Sequence, residues 1–115
     1  MRFTESLRKN RQFQEVYKTG KSRANKYLVM YVSENHQEKN YLGISVSKKV
    51  GNSVVRHRVK RLVKESYRLH EDIFNSGLNI VITARASSAS ITYLEMESAV
   101  LHLGKLHGIT MKKSE

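Results

Sequence analysis

"KKVGNSVVRHRVKRLVKESYR", residues 48–68, decides how this chain is organised. At about 100° per residue, Val55, Val59, Leu62 and Ser66 stack on one face with Val63 beside them. Arg56, His57, Lys60, Arg61, Lys64 and Arg68 spread over the opposite arc. The spacing predicts an amphipathic helix opened by Asn52 or Ser53, whose side chains can accept from the free N–H groups of a first turn. Strand-like segments flank it on both sides. A helix of crossover length between two strands implies that they run parallel in one sheet.

The strand before the helix is "YLGISVS" (41–47), where Leu42, Ile44 and Val46 alternate with Tyr41, Gly43, Ser45 and Ser47. The strand after it is "GLNIVITA" (77–84). Farther out, "KYLVMYVS" (26–33) alternates Leu28, Met30 and Val32 with Tyr27, Val29 and Tyr31. Both of its faces carry bulk, so one is expected to contact something besides the core. The polar "ENHQEKN" (34–40) reads as a hairpin-like connection, which makes the first two strands antiparallel neighbours. "NRQFQEVYKTG" (10–20) reads as a helix with Asn10 as N-cap, Phe13, Val16 and Tyr17 on one face and Gly20 as stop. The last helix carries a capping box, Thr92 with Glu95, a staple of Ile91 with Met96, a stripe of Met96, Ala99, Val100 and Leu103, and a stop at Gly108. The order α-β-β-α-β-α gives an α+β fold on one small mixed sheet, with residues 1–115 forming a single domain.

Charge indicates the partner. The chain has 115 residues, a formal net charge of +11 and a pI near 10.1. Residues 48–68 hold eight of the 21 lysines and arginines, opposed within the segment by Glu65 alone. Like charges one turn apart, such as Arg56, Lys60 and Lys64, each cost a few tenths of a kcal/mol, roughly, unless something outside neutralises them. A polynucleotide does so with release of counterions. A membrane surface fits less well, because the apolar stripe is narrow, aliphatic and needed by the core. A DNA-reading helix-turn-helix would pack a second helix across a short turn, whereas this helix lies between strands. RNA fits best, with Phe13, Tyr17, Tyr27 and Tyr31 as candidates to stack unpaired bases, although a core role explains any one of them as well.

Catalysis by the chain itself finds little support. A two-metal site needs clustered carboxylates, and Asp72 is the one aspartate. His36, His57, His70, His102 and His107 show no catalytic spacing, and Ser87, Ser88 and Ser90 lack a nucleophile-elbow pattern. The absence of cysteine removes disulfides, thiolate zinc sites and a thiol nucleophile. "MRFTESLRKN" has no apolar signal region and no apolar run is long enough for a bilayer, so a soluble cytoplasmic protein is expected.

"GISVSKKVGNSVVRHRVKRLVKESYR" (43–68) closely resembles the signature region of the bacterial ribonuclease P protein subunit. "NRQFQEVYKTGKS" (10–22) is similar to that family's first helix, "ANKYLVMYV" (24–32) to its first strand, and "GLNIVITAR" (77–85) with the capped helix to its C-terminal half. The resemblance implies an α/β sandwich with a left-handed βαβ crossover, against the usual right-handed rule, and a single RNA-binding domain over residues 1–115. It implies further that a catalytic RNA subunit, with Mg2+ bound mainly by that RNA, cleaves precursor tRNA while the protein assists, with no obligatory protein partner. Lys48, Lys49, Arg56, His57, Arg58, Lys60, Arg61, Lys64 and Arg68 would face the catalytic RNA. Arg11, Phe13, Tyr17, Tyr27, Val29 and Tyr31 would hold the 5′ leader of precursor tRNA. No residue is assigned as catalytic or metal-binding. The family usually has Arg-Asn-Arg where this chain has Arg56-His57-Arg58, and imidazole cannot reproduce an amide's paired donor and acceptor. The loop "ARASSAS" (84–90) also lacks the proline often found there, which bears on loop stiffness. The alternative from another class is a ribosomal-type RNA-binding protein.

Overall fold

Leu78–Ala84 is the strand most fully buried on both of its sides, and it takes the centre of the sheet. The computed structural model describes residues 1–111. Its elements in chain order are β1 (Thr4–Ser6), α1 (Asn10–Thr19), β2 (Lys21–Ala24), β3 (Leu28–Glu34), β4 (Asn40–Ser45), α2 (Ser53–Leu69), β5 (Leu78–Ala84) and α3 (Tyr93–His107). Short 3-10 turns occupy Glu71–Ile73 and Ala86–Ser88. The strand order is β1-β4-β5-β3-β2. The sheet is mixed: β1–β4 and β4–β5 pair parallel, β3–β5 and β2–β3 antiparallel.

The α+β class and the parallel pairing of the strands around the basic helix agree with the sequence, with Leu42 opposite Ile80 and Ile44 opposite Ile82. The expected hairpin does not form. β5 lies between β3 and β4, because a strand apolar on both faces is satisfied only where both are covered. Residues 35–39 instead cross the end of β5, and the Asn35 N–H donates to the Gly77 carbonyl at 2.9 Å. Two short strands extend the sheet beyond the expected three. β2 is the fully exposed edge strand. β1 is tied down by buried polar groups: the Thr4 and Tyr67 hydroxyls lie 2.8 Å apart, Asn40 Nδ2 donates to the Tyr67 hydroxyl at 3.1 Å, and Glu71 accepts from the Arg2 N–H at 2.7 Å.

α2 and α3 pack together over one face, on a core of Leu28, Met30, Ile80 and Ile82 from the sheet with Val59, Val63 and Tyr67 from α2 and Met96, Val100 and Leu103 from α3. α1 lies on the opposite face, where Val16 and Val81 are buried apart from that core. Asn10 is the first helical residue of α1 and Lys9 takes the cap position, since Gln12 Oε1 accepts from the N–H groups of Arg8 and Lys9 at 3.1 and 3.0 Å. Gly20 ends the helix through close approach: a Cβ there would stand 2.6 Å from the Val16 carbonyl oxygen. α3 has the expected capping box, with Thr92 Oγ1 accepting from the Glu95 N–H at 3.2 Å, and Gly108 closes it in the left-handed region at φ 69°.

Candidate nucleic-acid interface

Asn52 caps α2, its Oδ1 accepting the Val55 N–H at 3.0 Å. Val59, Val63, Ser66 and Tyr67 are buried, which turns the basic arc outward. His57, Lys60, Arg61 and Lys64 are exposed on it, Lys48 and Lys49 are exposed in the preceding turn, and Arg56 is partly covered, with a buried Nε that has no partner among the described residues. Two of the nine basic-surface residues are already engaged. Arg68 pairs with Glu65 at 2.5 Å, and that bond holds the Glu65 carboxyl below its usual range. Arg58 donates to the Ile91 carbonyl at 2.7 Å and so ties α2 to the start of α3. Among the described residues, none of the other cations of this surface is paired with a carboxylate.

The aromatic side chains of α1 rest on the sheet, where the helix contacts β3 and β5. Phe13 sits directly on Gly43: a Cβ at that glycine would lie 2.7 Å from two ring carbons. Tyr17 meets Tyr31 edge-on, with ring centroids 4.8 Å apart at 76°, and its hydroxyl lies 3.4 Å from Thr83 Oγ1. Val29, Tyr31 and Thr83 are partly buried on this face of β3 and β5. A groove of about 520 Å³ runs from Phe13 past Ser45 to Arg56, His57 and Lys60, with Arg8 on its near wall. The basic helix and the aromatic helix therefore share one depression.

Two expected leader residues stand elsewhere. Arg11 lies about 200° around α1 from Phe13, on the other flank, where it shares a groove of about 430 Å³ with Glu15, Tyr41 and Asn79. Tyr27 lies in the turn before β3, held by Asn25 Oδ1 and Arg85, and its hydroxyl donates to Glu95 of α3 at 3.1 Å. Sequence reasoning in turn missed Arg8, Ser45 and the Gly43 seat. An isolated glycine between Leu42 and Ile44 was the available signal, because such a residue in a strand marks close approach by another group. Three histidines have structural partners: His70 Nε2 is 2.8 Å from Glu97, His102 Nδ1 is 3.3 Å from Asn25, and His107 Nε2 is 2.8 Å from the Met30 carbonyl oxygen.

A family profile described as Ribonuclease P matches residues 1–107. The chain belongs to the ribonuclease P protein family. Membership makes it the protein component of the ribonuclease P ribonucleoprotein, with an RNA partner and a place in tRNA processing. The ribonuclease P protein component of Lachnoclostridium phytofermentans is 64% identical over 106 residues, covering 92% of this chain and 91% of that one. That of Alkaliphilus metalliredigens is 52% identical over 103 residues, covering 90% and 93%. Among solved structures, the Staphylococcus aureus RNase P protein superposes with a TM-score of 0.84 at 34% identity, covering 91% of this chain and 96% of that one. The Thermotoga maritima protein gives 0.80 at 29% identity, covering 88% and 96%.

Proposed function

We propose that α2 and the 48–52 turn seat the catalytic RNA, and that the cleft between α1 and the sheet holds the single-stranded 5′ leader of precursor tRNA. Lys48, Lys49, Arg56, His57, Lys60, Arg61 and Lys64 carry the RNA contact, with Arg58 and Arg68 secondary because each already has a protein partner. Phe13, Tyr17, Val29 and Tyr31 form the leader cleft, without Arg11 and Tyr27. The observation that supports this most directly is the shared groove: Arg56, His57 and Lys60 line one wall and Phe13 the other, so a strand leaving the RNA surface passes straight to the Phe13 ring. The chain acts as one RNA-binding domain in the cytoplasm and assists endonucleolytic removal of the leader.

Arg8, Arg56 and Lys60 repel a cation and suit phosphate, so the groove does not fit Mg2+. In this reading the metal belongs mainly to the RNA. The test is a holoenzyme reconstituted with Phe13→Ala and Tyr31→Ala. Affinity for leader-bearing precursor tRNA should fall while affinity for mature tRNA holds. Equal loss on both substrates would reject the cleft as the leader site.

A further inference from the structure

We propose that the chain carries a second surface for single-stranded RNA, built from β2, the turn after it and the outer side of α3, and independent of α2 and the aromatic cleft. All four residues of β2 are exposed. Lys21 pairs with Val32 and Arg23 with Met30, so both cations project on the side of the sheet covered by α3, which packs against β2. Lys26, Arg85 and Lys105 add exposed charge around them. Arg85 donates to the Asn25 carbonyl at 3.0 Å, and Asn25 Nδ2 lies 3.3 Å from His102, one turn before Lys105.

Lys26 lines a groove of about 400 Å³ together with Tyr27, Leu94, Ala99 and His102 among others; Arg85 is joined to this groove through its bond to Asn25, and Lys105 lies one turn beyond His102. Leu94 is 72% exposed, a large aliphatic side chain left at the rim. The Tyr27 ring has Lys26 Nζ 5.3 Å from its centroid. Glu95, the carboxylate in the groove, is occupied: its oxygens accept from the Thr92 N–H at 3.0 Å and the Tyr27 hydroxyl at 3.1 Å. A ring and an aliphatic wall suit an unpaired base, and the surrounding cations suit its phosphates.

Protection of an exposed sheet edge would account for Lys21 and Arg23. It does not account for Lys26, Arg85 and Lys105, which lie off the strand. The β2 cations lie apart from the outer cations of α2, and the two surfaces come nearest where Arg58 donates to the Ile91 carbonyl, three residues before Leu94. Lys60 and Lys64 of α2 stand beside Ser6 of β1, and β2 is the opposite edge of the sheet, four strand spacings or about 19 Å away.

The test uses the full chain in a Phe13→Ala, Tyr31→Ala background, saturated with ribonuclease P RNA so that the first surface is out of play. The probe is a fluorescein-labelled 12-mer of uridine carrying 4-thiouridine, followed by anisotropy. It should bind, and Arg23→Glu, Lys26→Glu, Lys105→Glu together should weaken it at least tenfold. Three lost contacts at about 0.7 each lower the slope of log affinity on log salt by about 2. Melting temperature and affinity for the catalytic RNA should not change, and crosslinks should map to residues 21–27 and 98–105. If the triple variant misfolds, the milder pair Lys26→Ala and Lys105→Ala reads a smaller loss, with the slope lowered by about 1.4. Absence of probe binding, unchanged binding by the variants, or equal competition by poly-glutamate, which would indicate an acidic protein partner, overturns the proposal.

Discussion

Gly43→Ala is the sharpest probe of the cleft, because it moves one ring and deletes no contact group. The added Cβ would lie 2.7 Å from Phe13 Cε2 and Cζ and 3.1 Å from Leu7 Cδ1. Carbon pairs rest at about 3.5–4.0 Å, so the ring must rise by roughly 0.8 Å or more. Phe13 is only partly buried, and its ring is the far end of the side chain, so it can lift without disrupting the core. The accompanying loss of glycine flexibility in the unfolded chain works in the other direction, and net stability should shift by less than about 1 kcal/mol. Binding is more sensitive. A base stacked on an aromatic ring gains about 1–3 kcal/mol, and a displacement of this size forfeits up to about half of that. The leader-dependent part of precursor tRNA affinity should therefore drop by about 0.5–1.5 kcal/mol, roughly two- to twelvefold. The assay compares precursor and mature tRNA binding by reconstituted holoenzyme, alongside thermal melts of the protein. In a Phe13→Ala background the same substitution should add nothing, since the two residues act through one contact. Equal weakening on both tRNAs, or an undiminished effect without the Phe13 ring, would refute the reasoning.

Three further outcomes follow from the same geometry. Burial raises the Glu71 carboxyl, but the Thr4 hydroxyl and the N–H groups of Arg2 and Phe3 outweigh it and leave the group below its usual range. A carboxyl lowered by folding contributes stability above its unfolded value and loses it as pH falls from about 5 through the folded one, so Glu71→Gln should flatten the acid limb of a stability–pH curve. Coincident limbs in urea melts would contradict this. Tyr67→Phe removes the hydroxyl shared by Thr4 and Asn40 and should cost about 1–3 kcal/mol, with faster hydrogen exchange in β1; unaltered exchange there would mean the network does not hold the strand. For catalytic RNA, Lys60→Ala and Arg61→Ala should each lower the salt slope by about 1. Arg68→Ala should lower it by clearly less, because Glu65 already holds that guanidinium, and equal slopes would show that the pair opens on binding.

Local signals were legible in the sequence and relational ones were not. α2 and α3 could be read because periodicity, an N-cap at Asn52 and the Thr92–Glu95 box are all contained within a turn or two. β2 reads Lys-Ser-Arg-Ala and offers no apolar alternation, since it is an exposed edge held by backbone pairing to β3 and by contact with α3 rather than by burial of its own side chains. Strand order escaped for a different reason: the segment after β3 has turn composition whether it closes a hairpin or crosses the end of β5. Tyr27 continues the two-residue period of Val29 and Tyr31 in sequence but not in space, because β3 starts at Leu28 and Asn25 shapes the turn before it independently. Tyr67 went unnoticed in the core because a tyrosine beside Arg68 looks exposed, whereas its hydroxyl has Thr4 and Asn40 as buried partners.

The placement of Phe13 ties the two halves of the interface together. It lines the groove that reaches Arg56 and His57, and also a neighbouring groove of about 400 Å³ that reaches Lys60 and Lys64. Its seat exists only because residue 43 is glycine, and the end of α1 is fixed by the approach of Gly20 to Val16 and Val32. Both glycines thus set the height and direction of α1 over the sheet, hence the width of the cleft and its distance from the cations of α2. On this reading the arginines and lysines need no carboxylate partners of their own: their repulsion is relieved when RNA binds, and the same event brings the polynucleotide to the edge of the aromatic rings. Affinity for the catalytic RNA and capture of the leader are then separable by mutation, the first following charge on α2 and the second following the position of one ring.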